Sequence, residues 1–112
     1  MANDAAVLDR AFAACSHPVR RGILERLAGR ELTVAEATGG LGVSKPAISR
    51  HLKVLEEADA IVRVIDGRTH RLRIADGSLV RAEEWIASQR QIWERKMDVV
   101  GEFLSEQRAG RG

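Results

Sequence analysis

Cysteine and long apolar runs are what this sequence of 112 residues most plainly lacks. Cys15 is the only cysteine, so one chain can form neither an internal disulfide nor a four-cysteine zinc site. No apolar run approaches the roughly 18 residues of a membrane span. The start MANDAAVLDR also lacks the basic and apolar regions of a signal peptide. We therefore expect a cytoplasmic location.

Signals of catalysis are missing as well. No nucleophile has a plausible base, no glycine-rich loop is suited to cradle phosphate, and no paired carboxylates stand in an apolar setting. Ser44 and Ser49 near His51 form only a false triad, because a helix cap and an outward-facing hydroxyl explain them more simply. His17, His51 and His70 belong to three separate elements, which argues against a metal cluster. We expect neither an enzyme nor a cofactor.

The composition is that of an ordinary folded chain. Hydrophobic residues make up 45% and charged residues 30%, which argues against disorder throughout. The length predicts a single domain over residues 1–112. A core of that size is marginal, so such a domain gains stability by oligomerising.

The N-terminal third contains two helical patterns. Leu8 and Phe12 belong to an amphipathic helix over about residues 4 to 15. Pro18 suits the first turn of a second helix, whose apolar stripe repeats at helical spacing and which Gly29 closes. That stripe consists of Val19, Ile23 and Leu27.

Two further helices follow with their own start signals. Thr33 and Glu36 have the spacing of a capping box, which opens a short helix over about residues 34 to 39. The stretch VSKPAISRHLKVLEEA comes next, with Ser44 as N-cap and Pro46 in the first turn. Its apolar stripe of Ile48, Leu52 and Leu55 leaves the basic and hydroxyl side chains on another face. A helix-turn-helix over about residues 34–58 is predicted.

The next segment changes to an extended pattern. IVRVI and THRLRI flank Asp66-Gly67, which predicts a tight β-hairpin over about residues 61–74. A helix-turn-helix followed by a hairpin is a winged helix, so the fold class is mostly α with a small β-hairpin. From Ser44 to Arg73, seven basic residues oppose four acidic ones, a balance of +3 on a chain of net charge +2. This local basic surface suits a nucleic acid, whereas a merely solvated charged face is the plainer alternative.

The last segment predicts one long helix over about residues 76–107. Its apolar residues form two neighbouring rows at seven-residue spacing, Leu79, Ile86, Trp93 and Val100 beside Trp85, Ile92 and Val99, joined by Phe103 and Leu104. This band is wider than one small domain needs, so we expect it to pack also on a second copy, with the first helix joining the interface. The alternative is a purely intramolecular core.

Four runs together resemble one known family. HPVRRGILERL, ELTVAEA, VSKPAISRHLKVLEEA and DGRTHRLRI are similar to the ArsR family of winged-helix transcriptional repressors over residues 8 to 75. The long helix with EEWIASQRQIWERKMDVVGEFL is similar to a subgroup that lacks the family's metal sites. The resemblance implies dimerisation through the first and last helices, and repression of a promoter that a signal relieves.

Departures from the metal-sensing members argue against a metal site. The segment matching Glu31 to Glu36 carries cysteine ligands in those relatives, whereas Thr33 and Ala35 stand here. Other sensors take Asp and His ligands from the last helix, yet no histidine follows His70. The family usually has glycine at the position of Asp59, after the second helix of the helix-turn-helix. Aspartate adopts the left-handed conformation less easily.

We predict a homodimeric DNA-binding regulator, most simply a repressor at a palindromic operator. The base-edge candidates are Lys45, Pro46, Ser49 and Arg50, with Ser44 and Lys53 on phosphate, Arg68 on the wing, and Arg71 and Arg20 next. The dimer candidates are Leu8, Phe12, Trp85, Ile86, Ile92, Trp93 and Val100. The competing hypothesis is a winged helix that binds a protein partner and no DNA.

Three residue types allow a second reading. Cys15 could be a redox switch in a dimer, but a small buried hydrophobe is the simpler interpretation. His17 fits a helix cap, and His51 fits either a packed or a phosphate-facing position. Trp85 and Trp93 could line a ligand pocket, although aromatics on a seven-residue repeat are more often interface core.

Overall fold

A computed structural model of the chain describes residues 4–110. The elements run in the order α1 (Asp4–Cys15), α2 (Pro18–Leu27), β1 (Leu32–Thr33), α3 (Val34–Thr38), α4 (Lys45–Glu57), β2 (Ile61–Asp66), β3 (Thr69–Ile74) and α5 (Gly77–Ala109). The helices and the hairpin confirm the predicted winged helix-turn-helix. Within residues 4–110, none of the helices has the combination of length and hydrophobicity that a membrane span requires.

The short helices begin at side-chain caps. His17 caps α2, because its Nδ1 accepts the backbone N–H of Val19 at 3.1 Å. The capping box of α3 is complete: Glu36 N donates to Thr33 Oγ1 at 3.2 Å, and Thr33 N donates to Glu36 Oε1 at 3.0 Å. The bond donated by the Thr33 backbone N–H, and after it the Thr33 side chain, hold the pKa of the Glu36 carboxyl below its ordinary value. Both caps agree with the sequence prediction.

The sheet has one strand more than the predicted hairpin. Its order is β1-β3-β2 and all pairing is antiparallel, with Leu32 opposite Leu72 and Thr33 opposite Arg71. A strand of two residues shows no alternation, which is why the sequence pattern missed it. By pairing with β3, β1 joins the start of α3 to the wing.

The core lies among α2, α4 and the sheet. Ile23, Leu27, Leu55 and Leu72 are the largest side chains with no exposed surface. They belong to one cluster of buried residues that also contains Leu52. Burying an aliphatic side chain of this size contributes about 1.5–3 kcal/mol. The apolar stripes predicted for α2 and α4 are thus confirmed as the faces that meet the core.

The chain up to Ala82 forms one compact unit, and the part from Glu83 onward forms a second. The first turns of α5 belong to the first unit, where Ser78 and Ala82 are buried. In the second unit every described residue is exposed. These include large apolar side chains, with Trp93 at 63% and Phe103 at 58% exposure.

Asp59 ends α4 in a left-handed conformation, with a φ of 53°. Asp59 N donates to Glu56 O at 3.0 Å, and Ala60 N donates to Leu55 O at 2.9 Å, which is the pair of bonds of a Schellman motif. Leu55 and Ala60 are both fully buried, so the turn also has the apolar contact that accompanies this motif. Asp59 therefore adopts the left-handed conformation that glycine adopts more easily.

We predict that Asp59→Gly stabilises the protein by about 0.5–1 kcal/mol, because the relief of left-handed strain exceeds the added freedom of the unfolded chain. Urea denaturation measures the change. Asp66→Gly is the matched control, since no positive φ occurs there, and it should give no gain. A variant at position 59 that is no more stable than the wild type would contradict this account.

Candidate nucleic-acid interface

Helix α4 separates its side chains onto two faces. Leu52 and Leu55 are buried and Ile48 is half-buried, whereas Lys45 and Arg50 are exposed. Ser44 begins the helix as predicted, because its hydroxyl accepts the backbone N–H of Ala47 at 3.3 Å. The core thus fixes which face of α4 reaches solvent.

The exposed face of α4 carries donors that bond to nothing among the described residues. Across residues 4–110, the side chains of Lys45, Ser49 and Arg50 form no hydrogen bond or ion pair. Lys53 lies 3.9 Å from Glu57, and both groups are largely exposed, so that pair contributes little. Short cationic and hydroxyl groups at the start of a helix are suited to base edges and phosphates of a DNA groove.

The wing places basic residues at and near its tip. Gly67 has a φ of 61°, which lets β2 and β3 turn tightly. Arg68 follows it and is exposed, as are Arg71 and Arg73 on β3. Two of the predicted contacts, Arg68 and Arg71, therefore lie on the hairpin, and the others lie on α4 and α2.

Arg63 differs from the other basic residues of the wing. Its Nη2 lies 2.6 Å from Glu56 Oε1 and its Nη1 lies 3.2 Å from His70 Nδ1. It is partly buried, so its charge is already matched by a carboxylate at the end of α4. The balance of +3 from Ser44 to Arg73 includes Arg63, so the charge that is free on this surface is smaller than the sequence suggests. The sequence contains no clear signal of the Arg63–Glu56 pair.

Arg20, the predicted contact on α2, is bonded at every nitrogen of its guanidinium. Nη2 donates to Ala13 O at 2.7 Å and to Ser16 Oγ at 3.0 Å. Nε donates to Ala13 O at 3.1 Å and to Ala14 O at 3.3 Å. Nη1 lies 2.9 Å from His51 Nδ1 on α4. A direct DNA contact by Arg20 stays a prediction, and sequence reasoning missed this network.

His51 lies between Arg20 and His17. The rings of His17 and His51 have centroids 4.3 Å apart. The pKa of His51 is lowered, first by burial and then by the charges of His17, Arg20 and Arg50. Both effects favour the neutral imidazole, which alone can accept from arginine. Of the two predicted positions, the packed one matches this setting.

The remaining predictions concern a redox role for Cys15, a metal site, and the dimer candidates on α1 and α5. Cys15 is half-buried at the end of α1, and its carbonyl accepts from Arg21 Nη1 at 2.7 Å. In the part of the chain that the structure describes, no three His, Cys, Asp or Glu side chains come together to hold a metal ion. Leu8 is half-buried, and Phe12 and Trp85 are 39% and 43% exposed.

Comparison with known proteins places this fold among transcriptional regulators. A family model described as a helix-turn-helix domain matches residues 16–64. Over 50 residues the chain is 52% identical to the HTH-type transcriptional regulator Rv2034 of Mycobacterium tuberculosis, covering 45% of this chain and 47% of that protein. Over 54 residues it is 39% identical to the transcriptional repressor SdpR of Bacillus subtilis, covering 48% and 60%. The chain thus spans about half the length of these curated relatives.

A solved structure matches over more of the chain. The crystal structure of an ArsR family transcriptional regulator superposes with a TM-score of 0.75 at 30% sequence identity. The match covers 84% of this chain and 97% of that one. Because 84% of this chain is matched, the likeness includes part of the 33-residue helix α5.

The N-cap of α4 provides a test of how the site is built. We predict that Ser44→Ala lowers the free energy of unfolding by about 1 kcal/mol, and Ser44→Gly by only a few tenths. Ser49→Ala on the same helix is the control and should change stability by less than about 0.5 kcal/mol, because its hydroxyl bonds nothing in the described chain. Equal losses at both serines in thermal and urea denaturation would contradict the assigned cap.

Proposed function

The chain belongs to the ArsR family of transcriptional regulators, and we propose that it is a homodimeric repressor that binds a palindromic DNA operator. One observation carries the proposal: the face of α4 opposite the core presents Lys45, Ser49 and Arg50 with no partner for them in the described chain. Members of this family are not enzymes. DNA is then the partner, and a cytoplasmic location is part of the proposal.

We propose that α4 is the recognition helix and lies in the major groove. Its N-terminal residues Lys45, Pro46, Ser49 and Arg50 would face base edges, and Ser44 and Lys53 would face phosphates. Arg50 has the fork geometry for a bidentate contact to guanine. Arg68 at the wing tip, with Arg71 behind it, would contact the backbone or the minor groove.

We propose further that α1 and α5 form the dimer interface. In the second unit, Ile86, Ile92, Trp93 and Val100 are each at least 43% exposed and fall on the two predicted apolar rows. Leaving so many large apolar side chains in water is unfavourable, and a second copy of α5 would cover them. Leu8, Phe12 and Trp85 complete the proposed interface.

The two basic positions should act differently on DNA. We predict that Arg50→Ala costs about 1–3 kcal/mol on the preferred site and relaxes base preference there. Arg68→Ala should weaken binding to specific and scrambled duplexes alike. It should also lower the salt slope of binding by about one unit for each phosphate that is no longer neutralised, and a dimer would lose two such contacts. Titrations of both duplexes at several salt concentrations measure the two effects.

Arg95→Ala, which removes the same charge from α5, is the control for both variants. If Arg50→Ala keeps the full preference for the specific duplex, Arg50 does not read bases. If the wild type binds no duplex even at low salt, that result would support the competing hypothesis of a winged helix that binds a protein partner. Selection of bound fragments from random DNA supplies the specific site and tests its palindromic form, with half-sites about 10 base pairs or a multiple apart.

Trp93 provides the test of assembly. We predict that the wild type sediments as a dimer at micromolar concentration and that Trp93→Glu dissociates it, because the interface would bury an unpaired charge. Gln91→Glu adds the same charge to the same helix outside the apolar rows and should leave the dimer intact. A monomeric wild type, or a dimer unaffected by Trp93→Glu, would remove α5 from the interface.

A further inference from the structure

Arg20 and His51 connect three helices near the proposed DNA-binding face. Arg20 lies in the first turns of α2, its acceptors Ala13 and Ala14 lie near the end of α1, and His51 lies in the middle of α4. We propose that Arg20 is a positioning residue for DNA binding, which holds the recognition helix α4 against the end of α1 through its hydrogen bond to His51. This inference rests on the proposed DNA-binding function.

The acceptors of Arg20 explain why arginine is required. The carbonyl oxygens of Ala13 and Ala14 lie at the C-terminal end of α1, where the helix dipole is negative and a cation is favourable. The planar guanidinium reaches these carbonyls with two nitrogens while the third points to His51. A lysine carries the same charge but has no fixed fork, so it cannot hold both ends at once.

The chemistry of His51 determines when the bond exists. Arginine has only donors, so His51 Nδ1 must be unprotonated to accept from Nη1 at 2.9 Å. The charged and titratable groups facing His51 are His17 and Arg20 from α2 and its N-cap, and Arg50 from α4, all basic. From α1 and the residue after it, the groups on Arg20 are neutral carbonyls and the Ser16 hydroxyl. A proton on His51 would add a positive charge to this basic cluster and remove the acceptor.

The consequence for DNA binding follows from the position of His51 in α4. It comes directly after Arg50, which is exposed, and directly before Leu52, which is buried. Holding the His51 ring therefore adds a restraint on the rotation of α4, beside that of the buried Leu52 and Leu55, and so refines the direction in which Arg50 projects. A small misplacement of contacting groups is costly because bidentate base contacts need defined geometry.

A direct phosphate contact by Arg20 or His51 is the competing account, and three comparisons separate the two. First, Arg20→Lys and Arg20→Ala are titrated on the specific duplex at several salt concentrations. Positioning predicts that both lose affinity on the order of tenfold while the salt slope stays at the wild-type value. Near wild-type affinity for Arg20→Lys, with a slope lowered by about one unit per phosphate in Arg20→Ala, would overturn the proposal.

Second, His51→Asn and His51→Leu separate the acceptor from the ring. The asparagine amide oxygen can accept from Arg20 and does not titrate, whereas leucine offers no acceptor. At pH 7.5 we expect His51→Asn to bind the specific duplex with the affinity of the wild type. His51→Leu should lose as much affinity for that duplex as Arg20→Lys does. If both His51 variants lost the same affinity while Arg20→Lys kept the wild-type affinity, the hydrogen-bond acceptor at position 51 would play no part in DNA binding.

Third, positioning and direct phosphate contact predict opposite changes of DNA affinity as the pH is lowered. Because the pKa of His51 is lowered in the folded protein, the neutral form persists at pH 7.5 and is lost as the pH falls below the ordinary histidine value of 6.5. Positioning predicts that the affinity of the wild type falls relative to that of His51→Asn as the pH is lowered from 7.5 through the lowered pKa of His51, which lies below 6.5. A rise in affinity relative to His51→Asn would indicate an imidazolium facing phosphate and would overturn the proposal, as would identical profiles.

Two controls keep these outcomes specific. His70→Asn removes the wing histidine that contacts Arg63 and should leave the difference between wild type and His51→Asn unchanged. The unfolded chain takes up the proton at lower cost than the folded one, so stability also decreases on acidification, and melting curves at each pH verify that the protein stays folded. A wild type that binds no DNA would instead contradict the proposed function on which this inference rests.

Discussion

The burial of Leu52 and Leu55 is the constraint on which the rest of the structure depends. These side chains commit one face of α4 to the core formed with α2 and the sheet, so the opposite face must reach solvent. The Ser44 cap and the Schellman turn at Asp59 fix the two ends of that helix. The polar face of α4 is thus defined by apolar packing, and the basic residues take their direction from residues that never touch a ligand.

The sequence predicted those features that local chemistry determines. The caps at His17, Thr33 and Ser44 each depend on residues within three positions of one another, and the structure has all three. The hairpin is also present, but its two-residue loop is Gly67-Arg68, one position after the predicted Asp66-Gly67, because Asp66 still pairs with Thr69. The apolar stripes of α2 and α4 followed from helical periodicity. Strand β1 was missed because two residues show no period, and its pairing with β3 spans about forty residues of sequence.

The contacts that the sequence did not reveal join residues far apart in the chain. Arg20 and His51 are separated by 31 positions, and their contact exists because the core brings α2 and α4 together. For α5 the limit is different: periodicity identified the apolar rows, yet the same rows would suit an internal core or a second copy. The large exposure of Ile92 and Trp93 in the second unit supports the second copy, and a pattern within one sequence could not have decided between them.

Positive charge alone does not identify the proposed DNA face, because the arginines divide by what they already bind. Arg20 and Arg21 cap the carbonyls at the end of α1, Arg26 donates to Gly39 O at 2.7 Å, and Arg63 pairs with Glu56. Each of these charges is used in holding elements together. Lys45, Arg50, Arg68 and Arg71 form no hydrogen bond or ion pair within residues 4–110, and they lie on α4 and the wing. Arg10 on α1 and Arg90, Arg95, Lys96 and Arg108 on α5 also form no hydrogen bond or ion pair within residues 4–110. The absence of a partner therefore removes Arg20 and Arg63 from the free charge, and the position on α4 and the wing is what selects the proposed DNA face among the remaining cations.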